Sequence, residues 1–169
     1  MMSTTIWGVR KAYPSVKETT TKELSSLVAP SASKAAVWLV DVREPEEFAV
    51  SRIEGARFLS PSATRQHLRA LVDDALGQGV ESVVCYCSVG YRSAKKAKEL
   101  QAVLADVAGD DSKQTGGGLT FYNLEGSIFK WANEGRALVD GAAKPTAFVH
   151  PYSHFWGQCL NKELWKWNA

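Results

Sequence analysis

Two short apolar runs, AAVWLVDV at 35–42 and SVVCY at 82–86, are rich in β-branched residues and lack regular polar alternation. Runs of this kind are typical of strands buried on both faces of a parallel sheet. Each is followed by a segment suited to a helix: Pro45 and adjacent acids fit a first helical turn, and SAKKAKELQAVLADV at 93–107 has helical periodicity. Strands that alternate with helices predict an α/β domain with a parallel sheet covered on both faces.

Further segments extend this alternation. They are a capping box at Thr20 and Glu23 that opens a short helix, an amphipathic helix at 64–76, a strand at 119–125 and a helix at 127–135, with a polar loop, DDSKQTGGG, at 110–118. We therefore predict one domain at 20–140, an N-terminal extension at 1–19 and a C-terminal extension at 141–169. The last segment is rich in aromatic residues, and we expect it to pack on the domain or on a protein partner.

Composition excludes several classes of protein. Hydrophobic residues make up 45% of the chain and charged residues 22%, which argues against disorder, and the run 35–40 is too short to span a bilayer. A formal net charge of +2 gives no reason to expect nucleic acid or a membrane as partner. Three cysteines form a poor disulfide framework, so we expect free thiols and a cytoplasmic location. The Ser/Thr content of residues 1–15 leaves an organelle address open.

Cys87 stands directly after the second apolar run, at the carboxyl end of the predicted strand, where open parallel sheets bind ligands. The turn that follows comprises Ser88, Val89, Gly90, Tyr91 and Arg92, and the predicted helix opens at Ser93. A tight strand-to-helix turn points backbone N–H groups inward, and the helix dipole adds positive potential there. We expect these donors and the arginine to favour the thiolate and thus to make the cysteine a nucleophile.

The surrounding charge and the loop length narrow the chemistry. Residues 82–98 contain four basic residues and no acid, which would draw a small anion to this end of the sheet, although charge runs on helices are usually a solvated face. Cys87 and Arg92 are separated by four residues. Tyrosine phosphatases and related arsenate reductases have five residues at this spacing, and their wider ring encircles a tetrahedral oxyanion. The shorter ring suits a single sulfur atom on the cysteine.

Three segments resemble the single-domain rhodaneses, a family of sulfurtransferases. They are VWLVDVREPEEFAVSRIEGARFL at 37–59, VVCYCSVGYRSAKKAKEL at 83–100 and FYNLEGSIFKWANEG at 121–135, in the family's order. The chain departs from the family at 51–53, where Ser-Arg-Ile replaces the common Gly-His-Ile, and at 126–127, where Gly-Ser replaces Gly-Gly. The resemblance implies a three-layer fold with a five-stranded parallel sheet flanked by helices.

The resemblance also implies a two-step reaction. Cys87 would attack the sulfane sulfur of thiosulfate or a persulfide, become a persulfide, and pass that sulfur to a thiol or to cyanide, while loop N–H groups at 88–93 cradle the persulfide. Arg92 could bind a donor's sulfonate or brace the loop against Asp41 or Glu44, and we favour bracing because a buried arginine needs a partner. The reaction needs neither a metal nor a cofactor.

Other interpretations stay open. One is a rhodanese-like module without catalysis that binds a protein through the aromatic C-terminal segment, and another is a cysteine-dependent phosphatase or arsenate reductase. Cys85 could resolve a persulfide into a disulfide, although a buried strand cysteine is the commoner case. His150, His154 and Cys159 form an H-x3-H-x4-C pattern that could begin a zinc site, but no fourth ligand is evident, and we predict no metal.

Overall fold

The computed structural model describes residues 1–29, 37–109 and 118–169. The start of the first apolar run and residues 110–117 of the predicted polar loop lie outside the described residues. The helices are α1 (Met2–Ala12), α2 (Thr21–Leu27), α3 (Pro45–Val50), α4 (Arg65–Gly77), α5 (Tyr91–Ala108), α6 (Ser127–Asn133) and α7 (His154–Gly157), with a 3-10 turn at Lys162–Leu164. The strands are β1 (Lys17–Thr19), β2 (Val37–Asp41), β3 (Arg57–Phe58), β4 (Ser82–Tyr86), β5 (Thr120–Leu124), β6 (Leu138–Val139) and β7 (Pro145–Thr146).

Strands β1 to β5 form the predicted five-stranded parallel sheet, and their order is β1-β5-β4-β2-β3. Strands β6 and β7 form a separate antiparallel pair. β4 is the central strand, with Cys85 level with Val40 of β2 and with Asn123 of β5. The edge strand β1 lies inside the segment that the sequence analysis assigned to an N-terminal extension. A three-residue strand whose side chains are all polar carries too little pattern to be recognised from sequence.

Helices cover both faces of the sheet, which gives the predicted three layers. One core lies under α4 and α5 and includes Val72, Leu100 and Phe121. The other lies under α2 and α6 and includes Leu24 and Phe129. Burial of these apolar side chains, at about 1.5–3 kcal/mol each, is what holds the sheet and helices in register.

The helix after Cys87 begins two residues earlier than predicted, at Tyr91 instead of Ser93. Gly90 is its N-cap and has a φ of 115°, a left-handed conformation that turns the chain into the helix within one residue. The loop is therefore shorter than predicted. The first turn of α5 contains Tyr91, Arg92 and Ser93.

The C-terminal segment packs on the domain. Asn133 of α6 donates from Nδ2 to the carbonyl of Cys159 at 2.9 Å, and its Oδ1 accepts from the N–H of Asn161 at 2.8 Å. Val149 and Trp165 form a parallel bridge within the segment. In the part of the chain that the structure describes, the helices are all too short or too polar to cross a bilayer.

Candidate active site

The Cys87 sulfur lies within hydrogen-bond distance of two donors at the end of β4. The N–H of Gly90 donates to Sγ at 3.1 Å, and the Ser93 hydroxyl lies 3.4 Å from it. Cys87 is only 1% exposed, and Ser88, Val89 and Gly90 are buried as well. Both donors are placed to bind a negatively charged sulfur, and a charged acceptor makes the stronger hydrogen bond.

The inner side of this loop is bonded to the start of α6. The N–H groups of Ile128 and Phe129 donate to the carbonyls of Cys87 and Ser88, both at 3.1 Å. The first N–H groups of a helix have no partner within the helix, so α6 satisfies its own first turn by binding the loop. These bonds set the height of the loop above the sheet.

Ser127 completes this inner side. Its hydroxyl accepts the N–H of Cys87 at 3.1 Å and donates to the carbonyl of Leu124 at 3.3 Å. Its φ of 51° lies in the left-handed region, which costs a residue with a side chain about 1–2 kcal/mol. The glycine that is common at this position in the family would adopt this conformation without strain. Ser127 has a strained backbone, and its hydroxyl accepts a hydrogen bond from the buried N–H of Cys87.

The Ser93 hydroxyl has a single proton and several acceptors within reach, among them the carbonyl of Gly90 at 3.2 Å. It lies 2.6 Å from Oδ1 of Asn123 and 3.4 Å from Cys87 Sγ. The shorter contact holds the proton on the asparagine side when the cysteine is a neutral thiol. A negatively charged sulfur competes better for that proton, because a charged acceptor makes the stronger bond.

Arg92 braces the loop through Glu47. Its Nη1 donates to Oε2 of Glu47 at 2.7 Å, and its Nη2 donates to Oε1 at 2.9 Å, which makes the pair bidentate. The Ser88 hydroxyl donates to the same Oε1 at 2.7 Å, and Oε2 also accepts the N–H of Glu44. A bidentate arginine–carboxylate pair has one preferred geometry, so this network holds both ends of the loop against α3.

The acidic partner of Arg92 thus differs from the two residues named in the sequence analysis. Asp41 instead pairs with the fully buried Arg43, whose Nη2 lies 2.6 Å from Oδ2 of the aspartate. Glu44 is the N-cap of α3, and its contribution to the network is its backbone N–H. Glu47 is the third residue of α3, and the first turn of this helix directs its side chain toward the loop, where it meets Arg92.

Burial shapes the ionisation of this pair. Burial by itself raises the pKa of Glu47, but the hydrogen bonds and charge of Arg92 outweigh it, and the pKa lies below the ordinary value of 4.5. For Arg92, burial lowers the pKa, while hydrogen bonds and charge from Glu47 raise it above its ordinary value. The two groups therefore remain an ion pair across the neutral range.

The basic residues predicted near the loop have different surroundings. Lys95 and Lys98 lie on the exposed face of α5. Lys96 is buried and donates from Nζ to the carbonyl of Pro61 at 3.1 Å, with Glu99 at 2.7 Å. Lys95 and Lys98 therefore belong to the solvated face of α5, whereas Lys96 is a buried cation paired with its neighbours.

The remaining cysteines and histidines are part of the packing. Cys85 is fully buried, and burial raises the pKa of its thiol to about 12. Cys159 lies 3.6 Å from the Thr5 hydroxyl, and the rings of His150 and His154 pack against Trp167. Among the described residues, no group of three or more His, Cys, Asp or Glu side chains is placed to hold a metal.

Sequence reasoning missed two residues of the site and one that borders it. Glu47 has a weak signal, since a glutamate at the third position of a helix often folds back, but Glu46 is equally acidic in the sequence. Ser127 could be found only as a departure from the family's paired glycines. Tyr152, whose ring lies over the Arg92 guanidinium at 4.2 Å, comes from the C-terminal segment and has no local signal.

Comparison with solved structures finds the same fold in proteins with different chemistries. An As-Sb reductase from Leishmania major has a TM-score of 0.60 at 15% identity, with 70% of this chain and 78% of that chain covered. A yeast protein tyrosine phosphatase of the rhodanese family has a TM-score of 0.54 at 18% identity, covering 70% and 85%. A thiosulfate sulfurtransferase from Pseudomonas aeruginosa has a TM-score of 0.58 at 16% identity, covering 92% of this chain but only 26% of that longer chain. At these identities the likeness shows the fold alone.

The sequence comparisons are more specific. Curated protein sequences contain no significant match. The family model of the rhodanese-like domain, in contrast, matches residues 20–134, well over half of the chain. That range contains the loop, its bracing pair and the start of α6, and the chain belongs to the rhodanese-like domain family.

Proposed function

We propose that this protein is a sulfurtransferase that carries sulfane sulfur as a persulfide on Cys87. The observation that carries the proposal is the small ring around Sγ, where the Gly90 N–H and the Ser93 hydroxyl converge at 3.1 Å and 3.4 Å. A ring of this kind can hold one additional, negatively charged sulfur atom. The donors are thiosulfate or small persulfides, and the acceptors are thiols or cyanide.

The first step transfers sulfur to the enzyme. The Cys87 thiolate attacks the outer sulfur of the donor, a new S–S bond forms, and the donor's own bond to that sulfur breaks. The bonding electrons leave with sulfite from thiosulfate, or with a thiolate from a persulfide. This is nucleophilic covalent catalysis, and it needs no external oxidant.

The second step returns the enzyme to its resting state. Cyanide or an acceptor thiolate attacks the outer sulfur, the new bond to the acceptor forms, and the electrons of the S–S bond return to Cys87 as thiolate. In both steps, the loop N–H groups stabilise negative charge where it develops.

The bracing pair bears on the choice of chemistry. Attack of a cysteine on phosphate or arsenate needs an arginine whose N–H groups can bind the oxygens of the substrate. In this protein, Nη1 and Nη2 of Arg92 already donate to Glu47, and Nη2 also donates to Ser88. Sulfur transfer does not need an oxyanion held in this way, so the pairing favours it over the phosphatase and reductase alternatives.

The test is intact mass spectrometry of the purified protein after separate incubation with thiosulfate and with glutathione persulfide. We expect a gain of one sulfur atom, about 32 Da, that a reducing agent removes. The Cys87→Ser variant should show no gain. The matched control is Cys85→Ala, which should load like the wild type because the Cys85 thiol remains protonated at neutral pH.

Two results would contradict the proposal. One is the lack of loading from either donor in folded protein whose Cys87 is shown to be a free thiol. The other is loading that persists in Cys87→Ser and disappears in Cys85→Ala. Hydrolysis of phosphate esters by the wild type, or reduction of arsenate to arsenite with a thiol as reductant, would instead support the alternatives if Cys87→Ser lost that activity.

The predicted protein partner of the C-terminal segment stays a prediction. Phe148, Phe155 and Trp167 remain 45%, 59% and 39% exposed, although the segment packs on the domain. Exposed aromatic side chains of this kind are common at protein interfaces.

A further inference from the structure

Two segments outside the matched family region cover the outer side of the Cys87 loop. From α1, Val9 lies near Gly90, so that a Cβ added to this glycine would lie 3.5 Å from Val9 Cγ2. From α7, the ring of Trp156 lies 5.8 Å from the ring of Tyr91. Gly90 is therefore contacted by α1 and Tyr91 by α7, and both helices lie outside the matched family region.

Tyr152, which also belongs to the C-terminal segment, contacts Arg92. Its ring lies over the guanidinium of Arg92, with Cζ 4.2 Å from the ring centroid. Arg92 cannot give way easily, because its fork is held by the buried carboxylate of Glu47. Tyrosine and arginine thus form a stacked cation–π pair at the edge of the site.

The backbone holds Tyr152 in this place. Its φ of 63° lies in the left-handed region, and its N–H donates to Nδ1 of His150 at 3.0 Å. A strained conformation persists only where the surroundings impose it. The surroundings here include Gly157, where a Cβ would lie 2.6 Å from Trp165 and 3.0 Å from Pro151. Close packing at Gly157 restricts movement of this part of the segment, while Tyr152 itself is 42% exposed beside Arg92.

We infer that Tyr152 is a specificity-determining residue, which restricts access to Cys87 to small, slender sulfur carriers. Thiosulfate, cyanide and low-molecular-weight thiols pass, whereas bulky thiols and persulfides on the surface of other proteins are excluded. The inference rests on the proposed function for its biological meaning. The access that it describes can be measured without any sulfur transfer.

The experiment measures alkylation of Cys87 in the full-length wild type, Tyr152→Ala and Tyr152→Phe. The probes are iodoacetamide and a maleimide that carries a bulky fluorophore, and peptide mapping separates Cys87 from Cys85 and Cys159. We expect Tyr152→Ala to raise the rate with the bulky probe at least about tenfold, the scale on which a pocket wall discriminates by size, and to leave the iodoacetamide rate nearly unchanged. Tyr152→Phe should behave like the wild type, because the ring and not the hydroxyl blocks the path.

A second arm measures sulfur transfer from loaded enzyme to cyanide, to glutathione and to a small protein with an exposed cysteine. Tyr152→Ala should gain kcat/KM for the protein thiol and leave that for cyanide unchanged. Tyr152→Leu, which removes the ring but retains an apolar side chain, replaces the alanine variant if thermal melts show that the latter is unfolded.

The outcomes are distinct. The inference would be overturned if the ratio of the bulky-maleimide rate to the iodoacetamide rate were the same in the wild type and in Tyr152→Ala, or in Tyr152→Leu where it replaces the alanine variant. Equal acceleration with every probe would also overturn it, because that result indicates general loosening of the loop. Failure of the wild type to load sulfur, together with the expected alkylation pattern, would remove the proposed function and leave the role of Tyr152 in access standing.

Discussion

The inner and outer sides of the Cys87 loop are held by different kinds of interaction. On the inner side, α6 and Ser127 bind the loop through hydrogen bonds between buried groups. On the outer side, the rings of Tyr152 and Trp156 lie against side chains of the loop. Buried hydrogen bonds are directional and costly to break, whereas stacked rings tolerate sliding. The inner side therefore sets the position of the sulfur, and the outer side sets what can reach it.

Glu47 gives the largest expected effect, because its carboxylate joins α3 to both Ser88 and Arg92. We expect Glu47→Gln to lower the free energy of unfolding by about 3 kcal/mol, since removal of one partner leaves a largely buried charge uncompensated. Sulfur loading should slow with it, because the loop loses its brace. Chemical denaturation and the loading assay measure both, and the exposed neighbour Glu46 provides the control Glu46→Gln. Equal effects of the two variants would contradict the bracing role.

The same pair predicts a pH dependence. The pKa of Glu47 is lower in the folded protein than its ordinary value of 4.5, so its contribution to stability is complete above that value. The contribution is lost as the pH falls below 4.5 and through the lowered folded pKa. The difference in unfolding free energy between wild type and Glu47→Gln should therefore be constant near neutrality and shrink at acid pH. A difference that grows on acidification would show that the sign is wrong.

Ser127 tests the inner side alone. Ser127→Ala retains the backbone strain and leaves the buried N–H of Cys87 without an acceptor, and we expect a loss of about 2 kcal/mol. Ser127→Gly loses the same acceptor but relieves the left-handed backbone, so it should be more stable than the alanine variant by about 1 kcal/mol. Denaturation of the three proteins gives both differences. An alanine variant as stable as the wild type would show that the hydroxyl does not hold the cysteine.

His150 gives the smallest expected effect and tests the outer side. Burial lowers its pKa, the carboxylates of Glu47 and Glu46 oppose this, and Arg43 and Arg92 reinforce it. Because the folded protein resists protonation of this ring, stability should decrease as the pH falls below 6.5, the ordinary value, and level off below the folded pKa.

Protonation would also remove the acceptor for the Tyr152 N–H, so the C-terminal segment should loosen first. Hydrogen exchange of residues 150–157 between pH 7.5 and pH 5.5 measures this, with buffer values chosen to bracket the ordinary histidine pKa of about 6.5. His150→Gln should abolish the change, and the exposed His154→Gln should not. Exchange is compared as protection relative to the intrinsic rate at each pH, and a wild-type segment equally protected at both values would contradict the expectation.

Much of the site was predictable because it is local in sequence. Cys87, the glycine turn and Arg92 lie within six residues, and a strand followed by a helix brings them together without help from distant chain. The partner of Arg92 was predicted as an acid near β2, but choosing Glu47 over Asp41 and Glu44 requires the orientation of a helical turn. Two or three neighbouring acids cannot be ranked by pattern when all of them suit the same cation.

The amino-acid sequence by itself determined the parallel sheet and the place of the cysteine at its edge, because apolar runs, helical periodicity and a turn glycine act over a few residues. Only the tertiary structure decided that Ser127 receives the cysteine's N–H and that Tyr152 lies over Arg92. The first contact joins residues 40 positions apart, and the second joins Tyr152 to Arg92, 60 positions apart. Such pairs are selected by how the layers pack, and packing depends on all the side chains together, so no short segment records it.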